Sequence, residues 1–485
     1  NGVPQNDMEN GWVYWSNWDG VGDATSSIQV QRGLSAVNLA TPSIGGTMNI
    51  ITDPTAMEKG GKFKQEAGDG GFLKTTMNYN TGLIGDKLAL SGTIVRKTGD
   101  GIIDGTWTDA WAYYFGGSYA ISEDQRVELY AIGAPQRHGQ NLYKQNIATY
   151  SQELAGSIDG YDDSAYVAGN KFETEAGRFY NQNWAPVSSD YDGQQYWYMY
   201  GARTTDRYNK GFLNERENFF HKPLVNLNHF LNINDKTKLS SVLYWSGGSG
   251  GGTTYGLISK LNYIVNDELE LQVGLDWRTA GIEHAREVRD LLGGDYYVDF
   301  ADDNAPDGKV VKLGDIIAYH NETTVDWIGG FLQGNYTTDK LNLYGMGGLS
   351  SITYSYEDHF AVNLDEDGNE IDNLVKADAI TTYQLKGGGL YNINNNLGVF
   401  LNAGLVEKAP ILDNVIYYDG TVATDPANEK FIASEFGVNY GTEKFGVKVS
   451  AYNTDWKDRN LTKSVETGAG SSGDTDIIFL KGVNQ

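Results

Sequence analysis

Few side chains in this chain are of a type and spacing that could do chemistry. The histidines, His138, His221, His229, His284, His320 and His359, are scattered, and no His-Glu-x-x-His occurs. With no cysteine, zinc–thiolate sites, thiol nucleophiles and disulfide staples are excluded. Asp299, Asp302, Asp303 and Asp307 form one acidic cluster, a set of hard oxygen donors of the kind a loop calcium ion uses. Asn363 to Gly368 opens like a calcium loop, but its twelfth position is Leu374 rather than Glu, so an EF-hand is rejected. The run Gly247–Gly252 lacks the Lys-Ser/Thr of a phosphate cradle and reads as a loop tip. No Ser-His-Asp arrangement or carboxylate pair stands out. The better candidates bind rather than react: Trp12, Tyr14, Trp15 and Trp18 near the start, and Tyr196, Trp197 and Tyr198 (with Tyr191 and Tyr200) in a long polar stretch. Aromatic walls with a few polar groups suit sugars, peptides or chelates. The competing reading is that these rings only pack their loops together.

Elements that could position such groups are suggested by composition. The 485 residues include 61 Gly, 32 Tyr and 11 Trp but only 9 Pro. Aromatics favour strands and Gly favours turns. The net charge of −26 argues against nucleic acid as a partner, since phosphate binding needs basic surface. No apolar run is long enough for a transmembrane helix, and no signal peptide is visible.

From about residue 60 onward one pattern repeats: an alternating run, a very short turn, a second alternating run, then a long polar stretch. In the clearest case Leu269, Leu271, Val273, Leu275 and Trp277 alternate with Glu270, Gln272, Gly274 and Asp276. Short turns fall near 85, 123, 235, 266, 339, 395 and 442. Long stretches fall at 98–110, 136–219, 248–256, 278–322, 355–375, 407–429 and 458–475. Ile282–Leu292 is amphipathic enough to predict a short helix in one of them. A meander with short connections at one end and long ones at the other is the layout of an outer-membrane barrel, with apolar residues on the lipid face. Trp111, Tyr113, Trp277, Trp327, Tyr336, Tyr354 and Tyr440 are expected at its aromatic girdles. A soluble sandwich core would share the alternation but not the segregated loop lengths.

Residues 1–60 break this rhythm. They contain Asn1-Gly2-Val3-Pro4, then Ser27-Ile28-Gln29-Val30-Gln31-Arg32-Gly33, then Ser43-Ile44-Gly45-Gly46-Thr47-Met48-Asn49-Ile50-Ile51-Thr52. These blocks resemble the plug domain of TonB-dependent receptors: a strand ending Val-x-Arg-Gly, a small-residue turn, then Gly-Gly-x-x-Asn-Ile-Ile-Thr. Arg32, Gly33, Gly45, Gly46 and Asn49 carry the motif. Leu34, where many members have Pro, and Gln29, where an acidic residue is common, depart from it. The glycines are expected to supply positive φ or close backbone approach, and Arg32 a buried, several-fold hydrogen-bonded guanidinium. Gly133–Gln140, Asn218–Pro223 and Asn439-Tyr440-Gly441 with Ala451-Tyr452 resemble motifs of Bacteroidota-type members, so the resemblance covers essentially the whole chain.

The resemblance implies an all-β transmembrane antiparallel barrel with a partial α/β plug in its lumen: 1–60 the C-terminal part of the plug, 61–485 the barrel. Members have 22 strands, of which roughly 16 are legible here. The TonB box, first plug half and final hairpins are then expected outside the segment. It implies a non-enzymatic importer of a scarce chelate, oligosaccharide or peptide, energised by TonB with ExbB and ExbD and surrounded by outer-membrane lipid; no cofactor is expected, and the acidic cluster at 299–307 is the one candidate for a loop calcium. Whether a surface lipoprotein lid sits over the barrel stays open. The alternatives are a plugged barrel serving as a binding or structural subunit, and a soluble secreted adhesin or glycan hydrolase.

Overall fold

The computed structural model describes residues 1–34, 39–142, 146–161, 175–186, 194–198, 202–206, 212–214, 217–248, 252–364, 370–466 and 475–483. Its first strands, β1 (Ser27–Arg32) and β2 (Gly46–Ile51), form a separate antiparallel pair. The wall follows as β3 (Gly60–Ala67), β4 (Leu73–Ile84), β5 (Leu88–Gly99), β6 (Thr108–Ala120) and β7 (Gln125–Gly133). After the long segment 134–223 it resumes as β8 (Leu224–Asn234), β9 (Thr237–Ser246), β10 (Gly252–Ile264), β11 (Leu269–Glu287), β12 (Ile316–Thr337) and β13 (Leu341–Asp358). It ends with β14 (Ile380–Asn394), β15 (Leu397–Lys408), β16 (Glu429–Gly441) and β17 (Gly446–Lys457).

Every strand from β3 to β17 pairs antiparallel with the next, β7 finding β8 across the long segment. The barrel order brings β17 beside β3, but no run of paired residues joins these two among the described residues. Turns of a few residues close one end, at 85–87, 235–236 and 395–396 for example, and the long connections gather at the other.

The faces are inverted relative to a soluble sandwich. Val273, Leu275, Leu332, Leu349, Leu385, Leu401 and Phe436 are 47–65% exposed on the outside. Thr93, Ser118, Asn226, Gln272, Asp276, Thr323, Gln333 and Gln384 are buried inside. A pleat with period two makes this sorting all-or-none. So large an outward apolar surface is unstable in water and matches a lipid-facing belt. No helix among the described residues is long and apolar enough to cross a membrane.

Several expectations are corrected. Ile282–Leu292 is not a helix: β11 runs to Glu287, and β12 starts at Ile316, so both strands outlast the belt. Their mutual ladder satisfies the backbone groups that a loop helix would have satisfied internally. The stretch 248–256 is mostly strand, since β10 begins at Gly252. Trp111, Trp277 and Tyr440 are exposed as girdle rings should be. Trp327 and Tyr354 instead face inward: Trp327 packs against Ala40 and Phe331, and Tyr354, 2% exposed, donates to Pro410 O at 3.1 Å.

Candidate functional site

The wall's inward polar residues have a partner, the N-terminal segment. Asn228 Nδ2 on β8 donates to Asn1 O at 3.2 Å. Lys74 on β4 pairs with Asp23 at 2.8 Å, and Lys97 on β5 pairs with Asp19. On β14, Gln384 donates to Ala40 O at 2.8 Å and Lys386 to Ser43 O at 2.6 Å. On β11, Arg278 holds Thr41 while its Nε donates to Asp276 Oδ1 at 2.9 Å, under the ring of Trp327. Wall strands from one side of the sheet to the other therefore grip residues 1–43, so the segment lies inside the curve of the sheet.

Its residues 7–24 reach the end carrying the long connections. His284, near the end of β11, contacts both Glu9 carboxylate oxygens at 2.9 and 3.1 Å. Leu412, in the connection 409–428, donates its backbone N–H to Glu9 O at 2.9 Å. Asp413 of the same connection is exposed at the surface near Glu9, and partial desolvation first, then the Glu9 charge, pushes its carboxyl above the usual range. His284 lies seven residues past the girdle ring Trp277, roughly 23 Å further along the strand at ~3.3 Å per residue, clear of the belt. Its hydrogen bond to Glu9 holds its pKa above the ordinary value.

Between these anchors residues 7–14 fold into a closed turn. Asp7 N–H donates to Trp12 O at 2.8 Å, Asp7 Oδ1 accepts from the backbone N–H groups of Glu9 and Asn10, and Asn10 Nδ2 donates to the Tyr14 hydroxyl at 3.0 Å. This turn and the short 3-10 helix Trp15–Trp18 present Trp12, Tyr14 and Trp15 at 70%, 48% and 60% exposure. Trp18 differs: it packs on the cluster Leu224, Tyr244 and Ile258. It also lines a cavity of about 190 Å³ with Asp7, Lys222, Tyr244 and Arg278.

The motif residues separate in the same way. Gly33 takes φ +71° and Gly46 φ +135°, and Gly33 N–H donates to Gly45 O at 3.1 Å, closing the hairpin. Gly45 needs neither device, having no positive φ and nothing near its absent Cβ. Asn49 pairs with Gln29 across the hairpin and donates to its side chain at 3.2 Å. The Arg32 side chain and those of Tyr196, Trp197 and Tyr198 lie outside the described residues. The backbone of Gln194–Tyr198 pairs with Ala202–Asp206 as a small separate hairpin.

In the acidic cluster Asp302 accepts from Lys309 at 3.2 Å and from Asn304, and Asp299 accepts from Ala318 N–H at 3.1 Å. Asp303 and Asp307 are exposed, and no three such ligands converge among the described residues. The Glu9–His284 contact was not singled out from the sequence. One signal was available: 284 shares the inward parity of Gln272, Asp276 and Arg278.

No protein-family model matches the chain, and no curated protein matches it in sequence. Solved structures do match its fold. The ferric-catecholate import receptor Fiu of E. coli K12, closed form, is 13% identical with a TM-score of 0.61, over 93% of this chain and 65% of that one. The copper transporter OprC is 14% identical with a TM-score of 0.60, over 95% and 63%. The ferric yersiniabactin uptake receptor FyuA from Yersinia pestis is 15% identical with a TM-score of 0.55, over 90% and 60%. At these identities the likeness is one of fold, and this chain spans less than two thirds of each of those chains.

Proposed function

We propose that this chain is plug and wall of an outer-membrane, TonB-dependent active importer. The observation that carries the reading is a barrel wall with apolar residues outward and polar residues inward, its lumen gripping a folded N-terminal segment through hydrogen bonds and ion pairs. An inverted wall of this kind belongs in lipid, and a gripped segment blocks passive flow. The solved structures it resembles are, by name, import receptors and transporters.

In this reading residues 1–60 are part of the plug, and the exposed rings Trp12, Tyr14 and Trp15 face the outer vestibule, where the solute first lands. TonB with ExbB and ExbD supplies the work that loosens the plug, and a surface lipoprotein lid would sit over the long connections. No substrate bond is changed, so the activity is transport rather than catalysis. The test is accumulation of solute by cells carrying the full-length protein, with and without TonB and with the proton gradient collapsed. Uptake that persists without TonB defeats the importer reading and leaves a binding or structural subunit. Extraction from membranes without detergent would defeat both.

A further inference from the structure

The vestibule's rings are accompanied by carboxylates in excess of cations. Asp7 and Glu9 lie in the turn that holds Trp12 and Tyr14, and Asp413 comes beside them from the connection 409–428. Of the cations nearby, His284 is committed to Glu9 and Arg278 to Asp276, leaving Lys222 at the edge of the cavity. The connections above repeat the bias: 288–315 carries seven acidic and three basic residues, and 409–428 carries three acidic and none basic. Among the described residues no cation lies over Trp12, Tyr14 or Trp15. The face of an indole attracts cations, and an acidic funnel concentrates them.

We infer that the solute captured on the Trp12–Tyr14–Trp15 turn carries positive charge as amine or guanidinium groups. This inference rests on the importer reading and narrows its substrate class. The turn is preorganised by its own hydrogen bonds, so the rings need not be ordered on binding. The carboxylates steer the cation in, and the rings hold it. Steering of this kind raises association rates about 10- to 1000-fold and fades as salt shortens the screening length.

The experiment measures binding to the full-length protein in detergent micelles, with tetralysine, tetra-alanine and tetraglutamate as probes and tryptophan fluorescence as readout. Tetralysine is expected to bind at least tenfold tighter than the others at low salt, and to lose about tenfold between 0.05 and 0.5 M salt. Trp12→Leu with Trp15→Leu should weaken it severalfold at every salt concentration. Asp295→Asn, Asp307→Asn and Asp425→Asn together change exposed side chains and should mainly slow association. Equal binding of the three probes, or tetralysine binding indifferent to the Trp variants, overturns the inference. Binding is read without transport, so tetralysine that binds but is not accumulated counts against the importer reading alone.

Discussion

Arg278→Leu should be among the most damaging single changes in the wall. Asp276 is 0% exposed and Arg278 7%, and the guanidinium meets both carboxylate oxygens, Nε at 2.9 Å and Nη2 at 2.5 Å. The same group reaches Thr41 Oγ1 and lies 4.5 Å from the Trp327 ring centroid. Removing one member of a buried pair leaves an uncompensated charge, costing about 3–5 kcal/mol. Loss of a desolvated cation–π contact adds up to ~2 kcal/mol. Lys260, which interacts electrostatically with Asp276 from β10, offsets part of this, so the expected net loss stays at about 3–5 kcal/mol. Asp276→Leu with Arg278→Leu removes both charges and should cost clearly less than the single change, because apolar replacement of a whole buried pair is often near neutral. Urea unfolding in lipid vesicles, followed by tryptophan fluorescence, measures both. The reasoning fails if the single variant unfolds within about 1 kcal/mol of the parent, or if the double variant is no more stable than the single.

Three further outcomes are expected. His284 has its pKa raised from 6.5 by its hydrogen bond to Glu9, so the folded state favours the protonated imidazole. It contributes stability that is present below pH 6.5 and is lost as pH rises through its raised value. Amide exchange of residues 7–18, corrected for its intrinsic pH dependence, should therefore quicken from pH 6.5 to 8.5, and His284→Gln should flatten that rise; an unchanged profile in the variant would refute the joint. Leu275→Arg, on the outward belt at 47% exposure, should cost about 2–4 kcal/mol of bilayer folding stability, whereas Thr279→Arg beyond Trp277 should cost far less; equal losses would show that the belt is misplaced. Gly33→Ala meets φ +71° and a Glu435 oxygen 3.0 Å from the new Cβ, a loss of about 1–2 kcal/mol. Gly45→Ala meets nothing within 4 Å, and thermal unfolding should separate the two.

Alternation along single strands was enough to place Leu269–Trp277 on one face and Gln272 and Asp276 on the other, because a strand's side chains have a fixed period. Loop lengths set the two ends apart for the same local reason: a tight turn and a long polar stretch are each written in consecutive residues. Which face was wet could not be read so directly, and strand ends were misjudged where polarity rose past the belt while pairing continued, as in β11 and β12. The aromatic girdle was only partly legible, since Trp327 and Tyr354 have the residue type of girdle rings but the parity of the lumen.

Sequence by itself determined the alternating strands, the order of short and long connections and the glycine-closed hairpin of the N-terminal segment, all set by neighbours a few residues apart. Only the tertiary structure decided that His284 meets Glu9, that Arg278 reaches Thr41, and that Trp12 and Trp15 stand exposed while Trp18 is packed away. Those contacts join residues hundreds of positions apart. Their partners are chosen by how the wall curves around the segment, and no local period or propensity encodes that curvature.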